Sequence, residues 1–413
     1  MHDRELYQAI LGLTKPWSVE RVELDEERRE VRVFVGWPAG EAVVCPVCGE
    51  SCGVYDHRLR RWRHLDTCQY QTILVAEVPR SNCPADGVHQ VAVAWAEADS
   101  RFTAMFEALV IDWMTEASLS AVSRQFDLSW DEAFGIQQRA VTRGLAARRA
   151  EVLEHVGVDE KSFQRRHEYV TVLCDLDGGR VWDVADERTG KSLAGMLDKL
   201  TDEQKAGIQA VAMDMWEPYV KAVSERIPLG RSKIVFDKFH VAKHLNDGVD
   251  QVRRQESAAL ADQGDRRLVG TKYDWLSNPA NFSRGRWVEF GPLRDSKLKV
   301  ARAWAMKETA MGLWDYRYPG AARRLFRRWF GWVARSRLRP MIAKAKLLKR
   351  HLENILTYLK HRITNAVSEG INSKIQWIKY TARGFTNRAN FRTAILFHCG
   401  GLSLHPKMAH TIV

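Results

Sequence analysis

The chain has 413 residues, 45% of them hydrophobic, which is enough for several packed cores and excludes a disordered polymer. Lys and Arg number 63 against 51 Asp and Glu, a formal charge of +12 that favours a polyanionic partner without separating nucleic acid from membrane. No apolar run approaches the roughly 18 residues of a membrane span and Met1-His2-Asp3-Arg4-Glu5 lacks a signal-peptide pattern, so a soluble, intracellular protein of roughly two to four domains is expected.

Residues 1–98 read as a small β-rich module. Glu30-Val31-Arg32-Val33-Phe34-Val35 alternates with the period of a half-buried strand. Four of the seven cysteines fall between Cys45 and Cys68, and clustered cysteines in an intracellular chain point to metal rather than to a disulfide framework. Cys45-Pro46-Val47-Cys48-Gly49 has the form of a zinc knuckle. Its downstream partner would be Asn82-Cys83-Pro84-Ala85-Asp86-Gly87-Val88-His89, where Asp86 stands in place of a second Cys and His89 is near enough to serve instead. The expected zinc set is Cys45, Cys48, Cys83 and His89; Cys52 and Cys68 are further possible donors among which spacing does not choose. Arg58, Arg60, Arg61 and Arg63 alternate with Leu59 and Trp62 without an acid between His57 and Leu65, as on a strand presenting basic groups to phosphates; an edge strand protected by charge is the plainer alternative.

Residues 99–150 turn helical. Phe102, Phe106, Leu109 and Trp113 recur on one helical face. Leu119–Phe126 forms a short second helix, and Ser129 with Glu132 makes a capping box for a third, giving the outline of a helix-turn-helix. Arg139 and Arg143 on that third helix are candidate DNA contacts; an ordinary three-helix bundle would show the same outline.

Residues 151–254 become α/β. His155–Val158, Glu168–Cys174 and Arg180–Val184 read as successive strands, Ser192–Leu200 as a helix, and Ile208–Met213 and Lys233–Phe236 as strands each followed by a helix. Residues 255–349 interrupt the alternation with a long helical stretch, and residues 350–413 complete the chain. Between Ala321 and Arg350 there are eleven Arg or Lys and no acid, among them Arg323, Arg324, Arg327, Arg328, Arg335 and Arg337. Interleaved with Trp329 and Trp332, this stretch suits phosphate tracking with Trp available for base stacking, although a charge run is commonly just a solvated face.

Three carboxylates stand apart. Asp159 and Asp214 each follow a short β-branched and apolar run, where a buried strand emerges, and Glu369 falls four residues after Asn365, a good helix N-cap. Three carboxylates on the rim of an α/β core can hold two divalent ions, and two such ions can cut a phosphodiester bond. Taken singly, each also fits an ordinary turn or helix start, and Asp175, Asp177, Asp183 and Asp186 are rivals.

Taken together, these motifs resemble the DDE transposases of bacterial insertion sequences, specifically the ISL3 group, nearly from end to end. The likeness rests on Cys45-Pro46-Val47-Cys48-Gly49 with Arg61-Trp62-Arg63-His64-Leu65-Asp66, on the helices of 101–150, and on Val158-Asp159-Glu160, Met213-Asp214-Met215-Trp216 and Asp237-Lys238-Phe239-His240. It continues through Asn365-Ala366-Val367-Ser368-Glu369-Gly370-Ile371-Asn372, Gly384-Phe385-Thr386-Asn387 and Asn390-Phe391-Arg392. The resemblance implies a ribonuclease-H-like core interrupted by an all-helical insertion and preceded by a β-rich zinc-binding module and a helix-turn-helix. It implies two Mg²⁺ (or Mn²⁺) ions on Asp159, Asp214 and Glu369, with Asp237 and His240 nearby in a supporting role, structural or catalytic. Zinc in the N-terminal module belongs to the same expectation, with Asp86 as the departure. The implied activity is binding of an element's terminal inverted repeats, strand cleavage and transfer to target DNA, by a homodimer or higher oligomer in the bacterial cytoplasm, associated with the nucleoid and with no membrane partner. A non-catalytic DNA-binding regulator and a nuclease without strand transfer are the alternatives.

Overall fold

The computed structural model describes residues 2–164, 168–363 and 366–407. Asn365, the expected cap of the Glu369 helix, lies outside these residues. Two compact units form, one from Met1–Arg148 with Thr381–Arg383 and Gly401–Val413, the other from Arg149–Tyr380 with Gly384–Gly400.

The first unit begins with a six-stranded sheet: β1 (Ser18–Asp25), β2 (Glu30–Gly36), β3 (Val43–Val44), β4 (Ser51–Thr67), β5 (Tyr70–Cys83) and β6 (Gly87–Gln90). Its order is β1-β2-β5-β4-β3, with β6 on β5; β2 and β5 run parallel and the other pairs antiparallel. Alternation on β2 buries Val31, Val33 and Val35 beside Leu74, Ala76 and Val78 of β5. Trp62 of β4 joins this core through an edge-on contact with Trp95 at 5.4 Å, and Trp17 meets the same ring at 4.9 Å.

Three capped helices follow, Ala104–Glu116, Leu119–Gln125 and Trp130–Ala147, with Thr103, Ser118 and Ser129 as their N-caps and the Ser129–Glu132 capping box formed as expected. The buried face of the first helix differs from the expected one: Phe106, Val110, Ile111 and Met114 are buried, whereas Leu109 and Trp113 are 37% and 45% exposed. Glu107 explains the rotation. Its carboxylate is buried, accepts from Ser100 Oγ at 2.8 Å and from Arg139 Nε at 3.0 Å, and so turns the helix toward the Trp130–Ala147 helix. Arg143 pairs with Glu97 and donates to the Leu404 carbonyl at 2.7 and 3.1 Å, while Leu402 packs over Gly144, where an added Cβ would lie 2.7 Å from the Leu402 Cβ.

The second unit holds a five-stranded sheet of β7 (His155–Gln164), β8 (Glu168–Asp175), β9 (Arg180–Asp186), β10 (Ala210–Met213) and β11 (Ile234–Phe236), ordered β11-β10-β7-β8-β9. β7, β8 and β9 are antiparallel neighbours, and β10 and β11 run parallel to β7. The parallel additions use helical crossovers, Gly190–Asp198 with Asp202–Gly207 before β10 and Glu217–Arg226 before β11. Pro218 sits in the first turn of the latter helix, where no amide donor is needed. β7 runs on to Gln164 against β8, so Asp159 lies within a strand rather than at its end. β10 pairs with β7 only as far as Gly157, and the sheet opens beside Asp159.

The helix Lys238–Ala261 continues past residue 254 into the helical stretch. The hydrophobic core continues with it, from Val156, Val211 and Phe236 of the sheet through Leu245 and Val249 to Trp275, Phe290, Met306 and Phe326. The chain then returns to the sheet through Ala366–Thr381 and Arg388–Cys399.

Arg139→Met would take the guanidinium off the buried Glu107 carboxylate and should lower the stability of the first unit by about 2 kcal/mol. A urea titration of the full chain reads this as an earlier transition; an unchanged midpoint would show that Glu107 is held without Arg139.

Candidate functional site

Strand alternation sorts the residues of β7. Val156 and Val158 point into the core, and Gly157, Asp159 and Lys161 share the opposite face. Asp214 directly follows β10, whose register pairs Ala212 with Gly157, and the charges of both Asp214 and Asp159 act on His240.

The Ala366–Thr381 helix lies along this face of β7. An added Cβ on Gly157 would be 3.3 Å from Ser368 Oγ; Asn372 Nδ2 donates to Asp159 Oδ2 at 2.8 Å; Lys379 Nζ donates to the Ser162 carbonyl at 2.9 Å. Eleven helical steps from Ser368 to Lys379 and five extended steps from Gly157 to Ser162 each cover about 16 Å, so helix and strand stay in step. Ile371, Ile375 and Ile378 are the helix's buried anchors. Glu369 is three residues before Asn372, hence on the neighbouring position of the same helix surface, and is exposed. Asn372 thus ties this helix to Asp159, and Glu369 stands one helical turn before Asn372.

His240 Nδ1 contacts the Asp214 carboxylate from the first turn of the Lys238–Ala261 helix. Asp237 caps that helix, accepting from the Phe239 amide at 3.2 Å. Burial pushes the Asp214 carboxyl up, but the hydrogen bond and charge of His240, with Lys243 and His244, outweigh it and hold the pKa below its ordinary value. Burial lowers His240, and Asp214, Asp237 and Asp159 reverse this to a net rise. Glu160 belongs to the other face of β7. It pairs with Arg188 at 2.9 Å, and burial, with Asp159 and Asp214, keeps its pKa raised despite that arginine. Lys161 and Asn372 were not singled out from the sequence; strand period two from Asp159 and helix spacing i+3 from Glu369 are the signals that place them here.

In the first unit, the Cys45–Gly49 knuckle and the β5–β6 turn bring Cys45, Cys48, Cys83 and Asp86 together with their ligand atoms all within 4.8 Å of one another. Cys45 Sγ and Cys83 Sγ lie 3.6 and 3.5 Å from Asp86 Oδ2, and Cys48 Sγ lies 3.6 Å from Cys83 Sγ. A tetrahedron with metal–sulfur bonds of about 2.3 Å has edges of about 3.8 Å, so the four donors fit a zinc ion. The expected fourth ligand, His89, is outside this set: its Nε2 donates to the Asp86 carbonyl at 2.8 Å, and Asp86 itself fills the corner. Cys52 and Cys68 are likewise not part of the cluster. Although the Glu50 backbone N–H favours its thiolate, the Asp86 carboxylate and Cys83 push the Cys48 thiol up to about 12, while backbone N–H groups of Cys48 and Val47 lower Cys45.

Known families match this arrangement in the same order. Residues 41–86 match the zinc-finger of transposase IS204/IS1001/IS1096/IS1165, residues 91–141 the helix-turn-helix domain of transposase family ISL3, and residues 156–395 the ISL3 family described as transposase, which alone covers more than half of the 413 residues. The chain belongs to the ISL3 family of transposases. Among curated relatives, the transposase for insertion sequence element IS1001 of Bordetella parapertussis is 26% identical over 95% of this chain and 97% of its own length. The transposase for insertion sequence element IS1557 of Mycobacterium tuberculosis is 28% identical over 93% of each. The zinc-finger match ends on Asp86, and the transposase match spans Asp159, Asp214 and Glu369. No helix among the described residues is long and apolar enough to cross a membrane.

The basic residues of this DNA-binding transposase divide by environment. Arg58 and Arg61 are exposed on β4, and Arg60 is half-buried and donates to Gln90 Oε1 at 3.3 Å. Arg63 is held inside, with its side chain 11% exposed, paired with Asp66 at 2.5 Å and set over the Phe106 ring. Alternation also puts Arg58 and Arg60 on one face of β4 and Arg61 and Arg63 on the other, so no single basic face forms. Arg139 and Arg143, expected as DNA contacts, are engaged within the protein by Glu107, Glu97 and the Leu404 carbonyl. On the Pro319–Ala334 helix, Arg324, Arg327 and Arg328 are exposed, as are Arg335 and Arg337 just beyond it, and Arg323 pairs with Glu353. Trp329 is not available for stacking: it is buried and donates its indole N–H to the Met306 carbonyl at 2.8 Å, leaving Trp332, 39% exposed, on the surface.

The Asp214–His240 pair has a defined pH window. His240 contributes fully below its ordinary value of 6.5 and loses that contribution as pH rises through its raised pKa; Asp214 contributes above its ordinary value of 3.8 and loses it as pH falls through its lowered one. The pair is therefore strongest between 3.8 and 6.5. In metal-free transposase, the imidazole resonance of His240 should titrate above 6.5, and Asp214→Asn should lower its midpoint, since burial is then opposed only by the charges of Asp237 and Asp159. A midpoint unmoved by Asp214→Asn would break the assignment.

Proposed function

We propose that this transposase binds the terminal inverted repeats of its insertion sequence through residues 1–150 and cleaves a DNA strand at the element's end. The exposed 3′-OH then attacks target DNA. The observation that supports the reading is that His240 feels the charges of both Asp159 on β7 and Asp214 just after β10, while Asn372 fixes the Glu369 helix to Asp159. The strand order and directions, with helices on the faces, support a ribonuclease-H-like core, and the helices of about 255–349 are its insertion. Divalent ions, two Mg²⁺ or Mn²⁺ held by Asp159, Asp214 and Glu369, would supply a nucleophilic water or hydroxyl and a stabilised leaving oxygen.

The chain's own residues prepare this site. Asn372 fixes the rotamer of Asp159, His240 fixes that of Asp214, and Asp237 anchors the helix on which His240 stands. His240 thereby acts as a positioning residue. Arg58, Arg61, Arg324, Arg327, Arg328, Arg335 and Arg337 supply exposed positive charge for phosphate contacts. Joining two ends to one target requires two copies on DNA, hence a homodimer or higher oligomer, acting on nucleoid DNA in a bacterial cytoplasm. Zinc in the N-terminal module is held by Cys45, Cys48, Cys83 and Asp86, and its chemistry there is structural, closing two loops onto each other.

Asp159→Ala and Glu369→Gln should each reduce Mg²⁺-dependent nicking of end-containing DNA by about 10³-fold or more while leaving band-shift affinity for the ends within about twofold. Metal-dependent cleavage that survives Asp159→Ala would sink the assignment. Metal analysis of the purified chain should find zinc that is lost in Asp86→Ala and kept in both Asp86→Cys and His89→Ala. Loss of zinc in His89→Ala with retention in Asp86→Ala would reverse the ligand assignment.

A further inference from the structure

Three of the protein's own donors engage the Asp159 carboxylate. Asp159 Oδ1 accepts from the Glu160 amide at 2.8 Å, and Oδ2 accepts from Asn372 Nδ2 at 2.8 Å and from Lys161 Nζ at 3.0 Å. Lys161 is two residues along β7, on the same face as Asp159, and its side chain is 13% exposed, so the ammonium is directed at the carboxylate rather than into solvent. The two other donors are neutral amides and can remain when a cation binds, because each carboxylate oxygen has two lone-pair sites. On Oδ2 the ammonium cannot remain, because Asn372 and Lys161 already use both of its acceptor sites. A divalent ion sits about 2.0–2.1 Å from a carboxylate oxygen, inside the space an ammonium at hydrogen-bond distance fills, and the two positive charges repel at that range.

We propose that Lys161 is an internal counter-ion that neutralises Asp159 in the metal-free transposase and is exchanged for the divalent ion when the site loads. This rests on the reading of Asp159 as a metal ligand. Lys161 is thus a positioning residue that sets the affinity of the free enzyme for its metal, keeping it lower than the carboxylates alone would give. Its flexible four-carbon stem lets the ammonium swing clear on exchange without moving the strand.

The test is Mn²⁺ binding to the full-length, DNA-free protein, followed by the paramagnetic resonance of the unbound ion. Asp159→Asn identifies the portion of the isotherm that belongs to this site. Lys161→Gln should bind Mn²⁺ there about tenfold more tightly than wild type, because the competing charge is gone. Lys161→Arg, which keeps the charge, should stay near wild type, and thermal melting of each variant establishes that it is folded. Affinity unchanged or weakened in folded Lys161→Gln, with the site still abolished by Asp159→Asn, overturns the counter-ion role alone. An isotherm indifferent to Asp159→Asn overturns both this role and the reading of Asp159 on which it rests.

Discussion

A side chain at position 157 would push the Ala366–Thr381 helix away from β7, since an added Cβ there meets Leu176 Cδ2 at 2.9 Å and Ser368 Oγ at 3.3 Å. The bare backbone at Gly157 is the constraint on which the candidate site depends. It lets Ser368 settle over the strand, puts Asn372 within hydrogen-bond distance of Asp159, and leaves Glu369 on the adjoining helix surface. The strands alone could present two carboxylates, because neighbouring strands hold side chains at fixed spacing. The third comes from a segment 155 residues after Asp214, and only close packing of that helix can register it against them.

Charge in this protein is allocated by burial more than by count. Glu107 is buried and recruits Arg139, and Arg63 and Arg180 are likewise paired with carboxylates. A buried carboxylate without a partner is costly, so folding commits nearby arginines to it before any ligand arrives. The arginines of the Pro319–Ala334 helix face no such demand on their side, and their net excess remains on the surface. The +12 of the whole chain therefore misstates where positive charge can meet a phosphate.

This explains which parts of the structure were legible in the sequence. The strands of the second unit, β2 of the first and the capped helices follow from apolar alternation and from local capping chemistry, which depend on near neighbours in the chain. Other positions were set by contacts that spacing does not carry. Arg139 is decided by Glu107, 32 residues away, and the zinc corner by which of Asp86 and His89 the β5–β6 turn points inward. Trp329 could have been read correctly. Ala322, Phe326, Trp329 and Val333 form a buried stripe at helical spacing, and the surrounding arginines drew attention from it. Lys161 was equally visible as a residue two places from Asp159, but nothing local says that its ammonium turns inward.

The contacts of Arg143 with the Leu404 carbonyl and of Leu402 with Gly144 tie the helix-turn-helix to residues encoded some 260 positions downstream. His405 adds a 2.7 Å contact to Asp112. The first unit is consequently not a contiguous stretch of the gene. A fragment cut after residue 148 would carry the helix-turn-helix without the strap that covers its third helix, and a frameshift that removed the codons after 400 would injure this N-terminal unit while sparing every strand of the second sheet. The helices also emerge early in synthesis, but their last packing partners emerge only after the Ala366–Thr381 helix has been made.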